Sequence, residues 1–312
     1  MDIVVSDAMP GPLFKRAAEG GFAPRRMLAV FNPAAGRNRR PRFNQIIVAL
    51  KGRGCDVTVI ETTAPGHAET IAREISAENC DVIAAAGGDG TVNEIVNGLR
   101  DSAVALGLIP LGTANVLADE IGLARTPETV ARVLASGPIH PIHVGMVNGR
   151  RFVMMAGVGF DANVVNGVSL ALKKRFGPLA YVWQAAREAF RADAARCVVT
   201  IDGVDFETAS AVACNGRRYG GPFIAAPDAS LTDDCFYVVL MPGRGWFHTA
   251  RYGVALMLGR ISKLHDVRVI AGQNVLVRGV DGRPVQADGD IVAHLPAQMA
   301  VDPVPVRLVF PA

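Results

Sequence analysis

The chain has 312 residues, half of them apolar, with 32 basic and 29 acidic side chains and a formal charge of +3. This length exceeds the usual single domain, so two domains with sizeable cores are expected. The near-balanced charge, with no long basic block, argues against nucleic acid as a partner, and the longest apolar runs, such as Gly253 to Gly259, fall far short of a transmembrane span.

Residues 1–24 carry Asp2 and Asp7 and no sustained apolar segment before Pro10, unlike a secretory signal, and read as a loosely ordered tail. Met27 to Phe31 is a first strand, followed by the sharp loop Asn32-Pro33-Ala34-Ala35-Gly36 and a helix from about Arg42 to Lys51. A second strand, Asp56 to Glu61, ends at Thr62-Thr63-Ala64-Pro65-Gly66, and a helix begins near His67. The third unit is the most informative. Asp81 to Ala86 is short and apolar after its first residue, as in a buried parallel strand, and Val92, Ile95, Val96 and Leu99 recur at helical spacing.

Between them lies Gly87-Gly88-Asp89-Gly90-Thr91. The glycines let the backbone approach a ligand, Asp89 or Thr91 can cap the helix, and free amides at a helix N-terminus favour phosphate. A carboxylate, Asp89, stands where an anion would bind, which is consistent with a divalent cation between it and the phosphates of a nucleotide. Taken alone, the same residues also fit a glycine turn with Asp89 as its cap. A fourth unit runs from Val104 to Ile109 into Pro110-Leu111-Gly112-Thr113-Ala114-Asn115 and a helix to Ile121. Four βα units in succession predict a doubly wound parallel sheet over residues 25–139, with all four loops at the carboxyl ends of the strands, where ligands bind.

From about His140 short β-rich runs take over, such as Cys197 to Asp202 and Asn274 to Val277, punctuated by Asp202-Gly203, Asp281-Gly282 and Asp288-Gly289. Residues 140–312 therefore read as an antiparallel β domain. Helical inserts are expected at about Leu179 to Arg191 and Phe247 to Ile261, and a closing strand at Val304 to Phe310. Five cysteines without paired short spacing predict reduced thiols in a cytosol and no zinc site. The histidines show no ligand spacing.

Five segments carry a resemblance: Asn32 to Gly36, Gly87 to Glu94, Leu111 to Asn115, Gly157 to Ala162 and Asp288-Gly289-Asp290. In order and approximate spacing they resemble the diacylglycerol kinase catalytic-domain family, which includes sphingosine and ceramide kinases and bacterial lipid kinases, over roughly Arg26 to the end. The resemblance implies an α/β nucleotide-binding domain followed by a β-sandwich whose lipid-facing cleft opens toward the nucleotide. It implies ATP with magnesium, bound by Asn32, Pro33, Ala34, Ala35, Gly36, Thr62, Gly88, Asp89, Gly90, Thr91, Val92, Asn93, Glu94 and Thr113. It also implies a structural Mg2+ held by the carbonyls of Leu231 and Phe236 and the carboxylate of Asp234, an oxygen-only set suited to a hard cation. The family usually has glycine after that aspartate, where this chain has Cys235. Its Asp-Gly-Glu carries the general base at the third position, where this chain has Asp290, one methylene shorter.

The expected activity is transfer of the γ-phosphate of ATP to a membrane-derived lipid hydroxyl, on diacylglycerol, phosphatidylglycerol or a sphingoid-type acceptor. Asp89 would neutralise charge through the metal and Asp290 would accept the proton. The P-loop and protein-kinase signatures are missing from the sequence. Gly157 to Ala162 also fits a loose dinucleotide fingerprint, but it follows four βα units and lacks the acidic residue about 20 positions on. An NAD kinase-like phosphotransferase and a catalytically impaired nucleotide- or lipid-binding module are the alternatives. The address expected is cytoplasmic. Lys173-Lys174-Arg175, with the helix that follows, offers one place for peripheral membrane contact, although such clusters more often face solvent.

Overall fold

The computed structural model describes residues 24–35, 39–100, 102–159 and 196–312. The chain divides into two compact units, residues 1–142 with 304–312, and residues 143–303.

The first unit begins with β1 (Arg26–Phe31), α1 (Arg40–Gly52), β2 (Asp56–Glu61), α2 (His67–Arg73), β3 (Val82–Gly87), α3 (Asp89–Gly98), β4 (Ala105–Pro110), α4 (Val116–Glu120), α5 (Pro127–Ser136) and β5 (Ile139–Ile142). The last strand of the chain, β20 (Val306–Val309), completes its sheet. The strand order is β2-β1-β3-β4-β20-β5, parallel except for the final β20–β5 pair. Every residue of β3 and β4 is buried, as expected of central parallel strands covered on both faces. Helix α1 packs on α5 and α2 on α3. Pro127 opens α5 at a position where its missing N–H costs nothing, and the Thr126 hydroxyl accepts the Thr129 amide hydrogen at 3.3 Å.

The four expected βα units thus form the expected sheet. Its outer half differs from the reading of residues 140–312 as one β domain, because Ile139–Ile142 and Val306–Val309 pair with each other beside β4. Both strands are short, and β20 satisfies the backbone groups of β4 that would otherwise form an open edge.

The second unit contains β6 (Gly145–Val147), β7 (Arg150–Phe152), β8 (Met155–Val158), β9 (Cys197–Ile201), β10 (Val204–Thr208), β11 (Ser210–Cys214), β12 (Arg218–Gly220) and β13 (Phe223–Ile224). It continues with β14 (Phe236–Met241), α6 (Gly245–Met257), β15 (Arg268–Gly272), β16 (Asn274–Arg278), β17 (Pro284–Ala287), β18 (Asp290–His294) and β19 (Ala297–Val301). Two six-stranded antiparallel sheets, β10-β9-β16-β19-β6-β7 and β15-β14-β11-β8-β17-β18, share one apolar core. Phe152 of the first and Phe236 of the second stack with ring centroids 5.6 Å apart. The turn at Asp202-Gly203 takes positive φ at both residues, as does Asn148-Gly149, which was not singled out from sequence. The expected insert at Phe247 to Ile261 is α6 followed by a single 3-10 turn, Ile261–Lys263. The insert at Leu179 to Arg191, the N-terminal tail before Pro24 and the Lys173-Lys174-Arg175 cluster lie outside the described residues. Among the described residues no helix is long and apolar enough to cross a membrane.

One ion pair is fully inside the second unit. Arg151 Nε donates to Asp302 Oδ2 at 2.7 Å, both side chains being 2% exposed. Removing one partner strands a buried charge, so Asp302→Ala is expected to cost about 3–5 kcal/mol in urea-induced unfolding of the intact chain, whereas the double replacement Arg151→Met/Asp302→Leu costs less.

Candidate nucleotide and phosphoryl-transfer site

The strand order of the first unit reverses between β1 and β3, the point where doubly wound sheets open a crevice. One side-chain hydrogen bond spans that point: Asn32 Nδ2, just beyond β1, donates to Thr91 Oγ1 in α3 at 3.0 Å. The Asn32 amide donates to Ala86 O at 2.9 Å, and its Oδ1 accepts the Ala34 amide hydrogen at 2.9 Å, which shapes the Asn-Pro-Ala-Ala loop into a side-chain-closed turn. Pro33 and Ala34 are exposed on that turn. Gly36 lies outside the described residues.

The β3–α3 and β4–α4 loops are locked together. Gly87 O accepts hydrogen bonds from Leu111 N at 2.9 Å and Gly112 N at 3.0 Å. The backbones come so close that a Cβ on Gly112 would lie 2.5 Å from Gly88 Cα. Asp89 completes the lock: Oδ2 accepts from Asn115 N at 2.9 Å and Oδ1 from Val116 N at 2.6 Å. Asn115, in the left-handed region at φ 52, closes its own turn by accepting from Gly112 N at 2.8 Å and donating to Gly112 O at 2.7 Å. The carboxylate expected to meet a metal therefore braces the neighbouring loop. Each oxygen accepts an amide hydrogen.

Several other expected nucleotide residues also act on the loops. Thr62 N donates to Phe31 O at 2.9 Å, and Glu94 Oε2 accepts from Ala68 N at 3.1 Å at the start of α2. Asn93 accepts from Asn97 Nδ2 through its carbonyl at 2.9 Å and its Oδ1 at 3.1 Å. Thr91 and Val92 are buried. Gly90 and Thr113 are exposed, and nothing lies within 4 Å of a Cβ built on Gly90. The first turn of α3 and the tip of the β4–α4 loop are thus the surfaces offered to a ligand.

Three arginines beside these loops were not picked out from sequence. Arg42 Nε and Nη2 and Arg39 Nε are buried without a hydrogen-bond partner. Burial, with Arg39 and Arg125 nearby, pushes the Arg42 guanidinium below its usual pKa. Arg125 donates to Ala114 O at 2.8 Å and pairs with Asp119. Unsatisfied, mutually repelling guanidiniums next to the β4–α4 loop favour an anion. The available signal was the run Arg37 to Arg42, four arginines in six positions, hidden because it doubles as the start of α1. Arg40 in that run is committed elsewhere, to Glu61 in a two-point pair at 2.5 and 2.7 Å that holds the Glu61 carboxyl below its ordinary value.

In the second unit Asp288 and Gly289 both take positive φ, 48° and 86°, and turn β17 into β18. The Asp288 carboxylate accepts three backbone hydrogens, from Val153 at 2.6 Å, Met154 at 2.9 Å and Met155 at 3.2 Å. Gly289 N donates to Gln286 Oε1 at 2.9 Å. The turn is therefore gripped from both sides, and Asp290 stands exposed at the first position of β18. In the expected metal loop the Leu231 carbonyl accepts from His143 N at 2.7 Å and Asp234 Oδ2 from Gln273 Nε2 at 3.1 Å, while Phe236 is buried at the start of β14. Among the described residues no group of three or more His, Cys, Asp or Glu is placed to hold a metal. The expected donors, the Leu231 and Phe236 carbonyls and the Asp234 carboxylate, are of the oxygen-only kind a hard ion prefers.

Gly112, inside the lock, and Gly90, outside it, separate fold from ligand. Gly112→Ala is expected to lower stability by about 2 kcal/mol, because backbone must shift to admit the methyl, and Gly90→Ala to leave the melting temperature unchanged or slightly raised. Thermal unfolding of both variants checks this.

The Diacylglycerol kinase catalytic domain family model matches residues 26–147, and that of the YegS C-terminal NAD kinase beta sandwich-like domain matches residues 154–310. A protein named diacylglycerol kinase from Bacillus subtilis strain 168 is 30% identical, over 88% of this chain and 92% of its own. One named probable lipid kinase YegS-like, from Stenotrophomonas maltophilia, is 29% identical over 79% of this chain and 89% of its own. The crystal structure of a diacylglycerol kinase from Bacillus anthracis strain Sterne shares the fold, with a TM-score of 0.75 over 93% of this chain and 98% of that one, at 21% identity. The α/β unit with its glycine-locked loops, the antiparallel sandwich and these matches make the chain a member of the diacylglycerol kinase catalytic-domain family of lipid kinases.

Proposed function

We propose that the protein transfers the γ-phosphoryl group of ATP to the hydroxyl of a membrane-derived lipid, of the diacylglycerol, phosphatidylglycerol or sphingoid class. The observation that carries this reading is the lock between Gly87-Gly88 and Gly112, with Gly90 and Thr113 exposed on the two joined loops while Asp89 holds those loops together.

When bound, ATP supplies the phosphoryl group and its magnesium ion neutralises phosphate charge. The backbone at Gly88 to Thr91 and the Asn32 to Ala35 turn would bind the phosphates by close approach, since phosphoryl transfer asks the protein mainly to position and to neutralise. Arg42 and Arg39 would add donors to that anion, a role supported by their unsatisfied nitrogens. Asp89 is a positioning residue, and its carboxylate would also neutralise charge through the nucleotide's metal. Asp290 would accept the proton of the attacking hydroxyl, and the hold on Asp288 and Gly289 fixes where Asp290 points. Leu231, Asp234 and Phe236 would hold a structural Mg2+. In this proposal the protein works in the cytoplasm, touching the inner face of a membrane.

Incubation with γ-labelled ATP, magnesium and a total lipid extract in mixed micelles tests the reading. One labelled lipid is expected. Asp290→Ala should lower its formation by about 100- to 10,000-fold while nucleotide binding persists. Gly90→Ala should weaken ATP binding about tenfold with the fold intact, an added methyl meeting the ligand and nothing else. ATP binding without label in any lipid would instead support a non-catalytic module.

A further inference from the structure

Helix α6 inverts the usual pattern of a surface helix. Tyr252 and Ala255 are buried against the second unit, with His248 and Arg251 alongside them partly covered. On the opposite side Trp246, Phe247, Val254, Met257 and Leu258 are each 57–66% exposed. At 3.6 residues per turn these positions span an arc of about 120° that also holds Ala250, and Gly253 at its edge widens it to about 140°. The outward face of a helix about 20 Å long is therefore wholly apolar. A soluble surface rarely carries so large a contiguous patch without a partner.

The surroundings of the patch select the partner. From Pro242 to His265 the sequence has no Asp or Glu, but it has Arg244, Arg251, Arg260 and Lys263. Arg251 is turned to the protein side, where it pairs with Asp266, as does the Tyr252 hydroxyl at 2.6 Å. Arg260 and Lys263, just beyond the C-terminal end of the helix, are exposed and have no side-chain partner among the described residues. Trp246 and Phe247 stand at the other end, edge to face with centroids 6.0 Å apart. Aromatics at one end, aliphatics along the face and cations at the rim are the composition of a helix lying in a bilayer interface. Anionic headgroups supply the counter-charge that Arg260 and Lys263 lack.

We infer that the outward face of α6, rimmed by Arg260 and Lys263, docks onto an anionic lipid bilayer with the helix in the plane of the interface. The inference shares with the reading above only the premise that the protein meets lipid, and vesicle binding is measured without ATP. It assigns membrane contact to α6 in place of the Lys173-Lys174-Arg175 cluster.

Flotation of the full chain with phosphatidylcholine vesicles, with and without phosphatidylglycerol, tests it. The wild type is expected to float with the anionic vesicles, less so at high salt. Met257→Glu/Leu258→Glu should lower that fraction by about tenfold or more at an unchanged melting temperature. Arg260→Glu/Lys263→Glu should remove only the advantage of anionic over neutral vesicles. Val254→Ser provides a milder probe of the same face if the double glutamate variant fails to fold. The inference is overturned if the wild type floats with neither vesicle, if the face variants partition like the wild type, or if the wild type is a dimer that Met257→Glu dissociates without changing flotation. That last result would make the patch a contact between copies of the chain. Flotation lost in the α6 variants, together with no label in any lipid by the wild type, would uphold the docking face and sink only the kinase reading.

Discussion

The loop arrangement of the first unit depends on a single carboxylate. Asp89 begins α3, where the helix dipole favours a negative charge, and it reaches across to the first amides of α4. Two charge-assisted hydrogen bonds to backbone donors hold the β4–α4 loop against the β3–α3 loop, and the absence of side chains at Gly88 and Gly112 allows the approach. Without that grip, Thr113 and Gly90 would belong to separately moving loops. With it the two loops are held in one backbone arrangement.

The second unit uses the same device. In Asp288-Gly289-Asp290 the first aspartate is consumed by three backbone amides and the glycine supplies a left-handed turn, so that the third residue is presented. In both motifs the first carboxylate accepts backbone hydrogens, and an exposed residue follows within two positions, Gly90 after Asp89 and Asp290 after Asp288. Asp-Gly pairs are read as turns for good reason. Here the turn is also the mount for the residue that follows it.

The second unit also carries an exposed apolar surface outside its β core. Helix α6 presents its covered side to the protein and an apolar arc to the outside, with cations at the rim. Loss of a packed partner on that arc is tolerable for the fold because Tyr252 and its hydrogen bonds to Asp266 and Gly243 N, the latter at 2.9 Å, hold the helix from the other side.

The alternation of β runs, glycine loops and helical spacing in residues 25–139 was legible because each βα unit is local, with its apolar period and its turn residues lying within about 30 positions. The glycine motif marked the loops whose backbones approach each other for the same reason: a missing Cβ has only a few uses. The partners of Asp89 and Asp288 were not legible, since a carboxylate and the amides it accepts lie 26 to 135 positions apart and amides carry no sequence signature. Nor was the placement of β5 and β20 in the first sheet, because a strand's own alternation does not say which edge it will satisfy. The unpaired arginines at the start of α1 and the outward apolar face of α6 likewise required knowing what each helix packs against. By itself the sequence determined the elements, their order and the loops that could approach a phosphate. Only the tertiary structure decided which charged groups are already satisfied by backbone and which surfaces remain for a ligand or a membrane, because satisfaction and exposure are properties of contacts between distant residues.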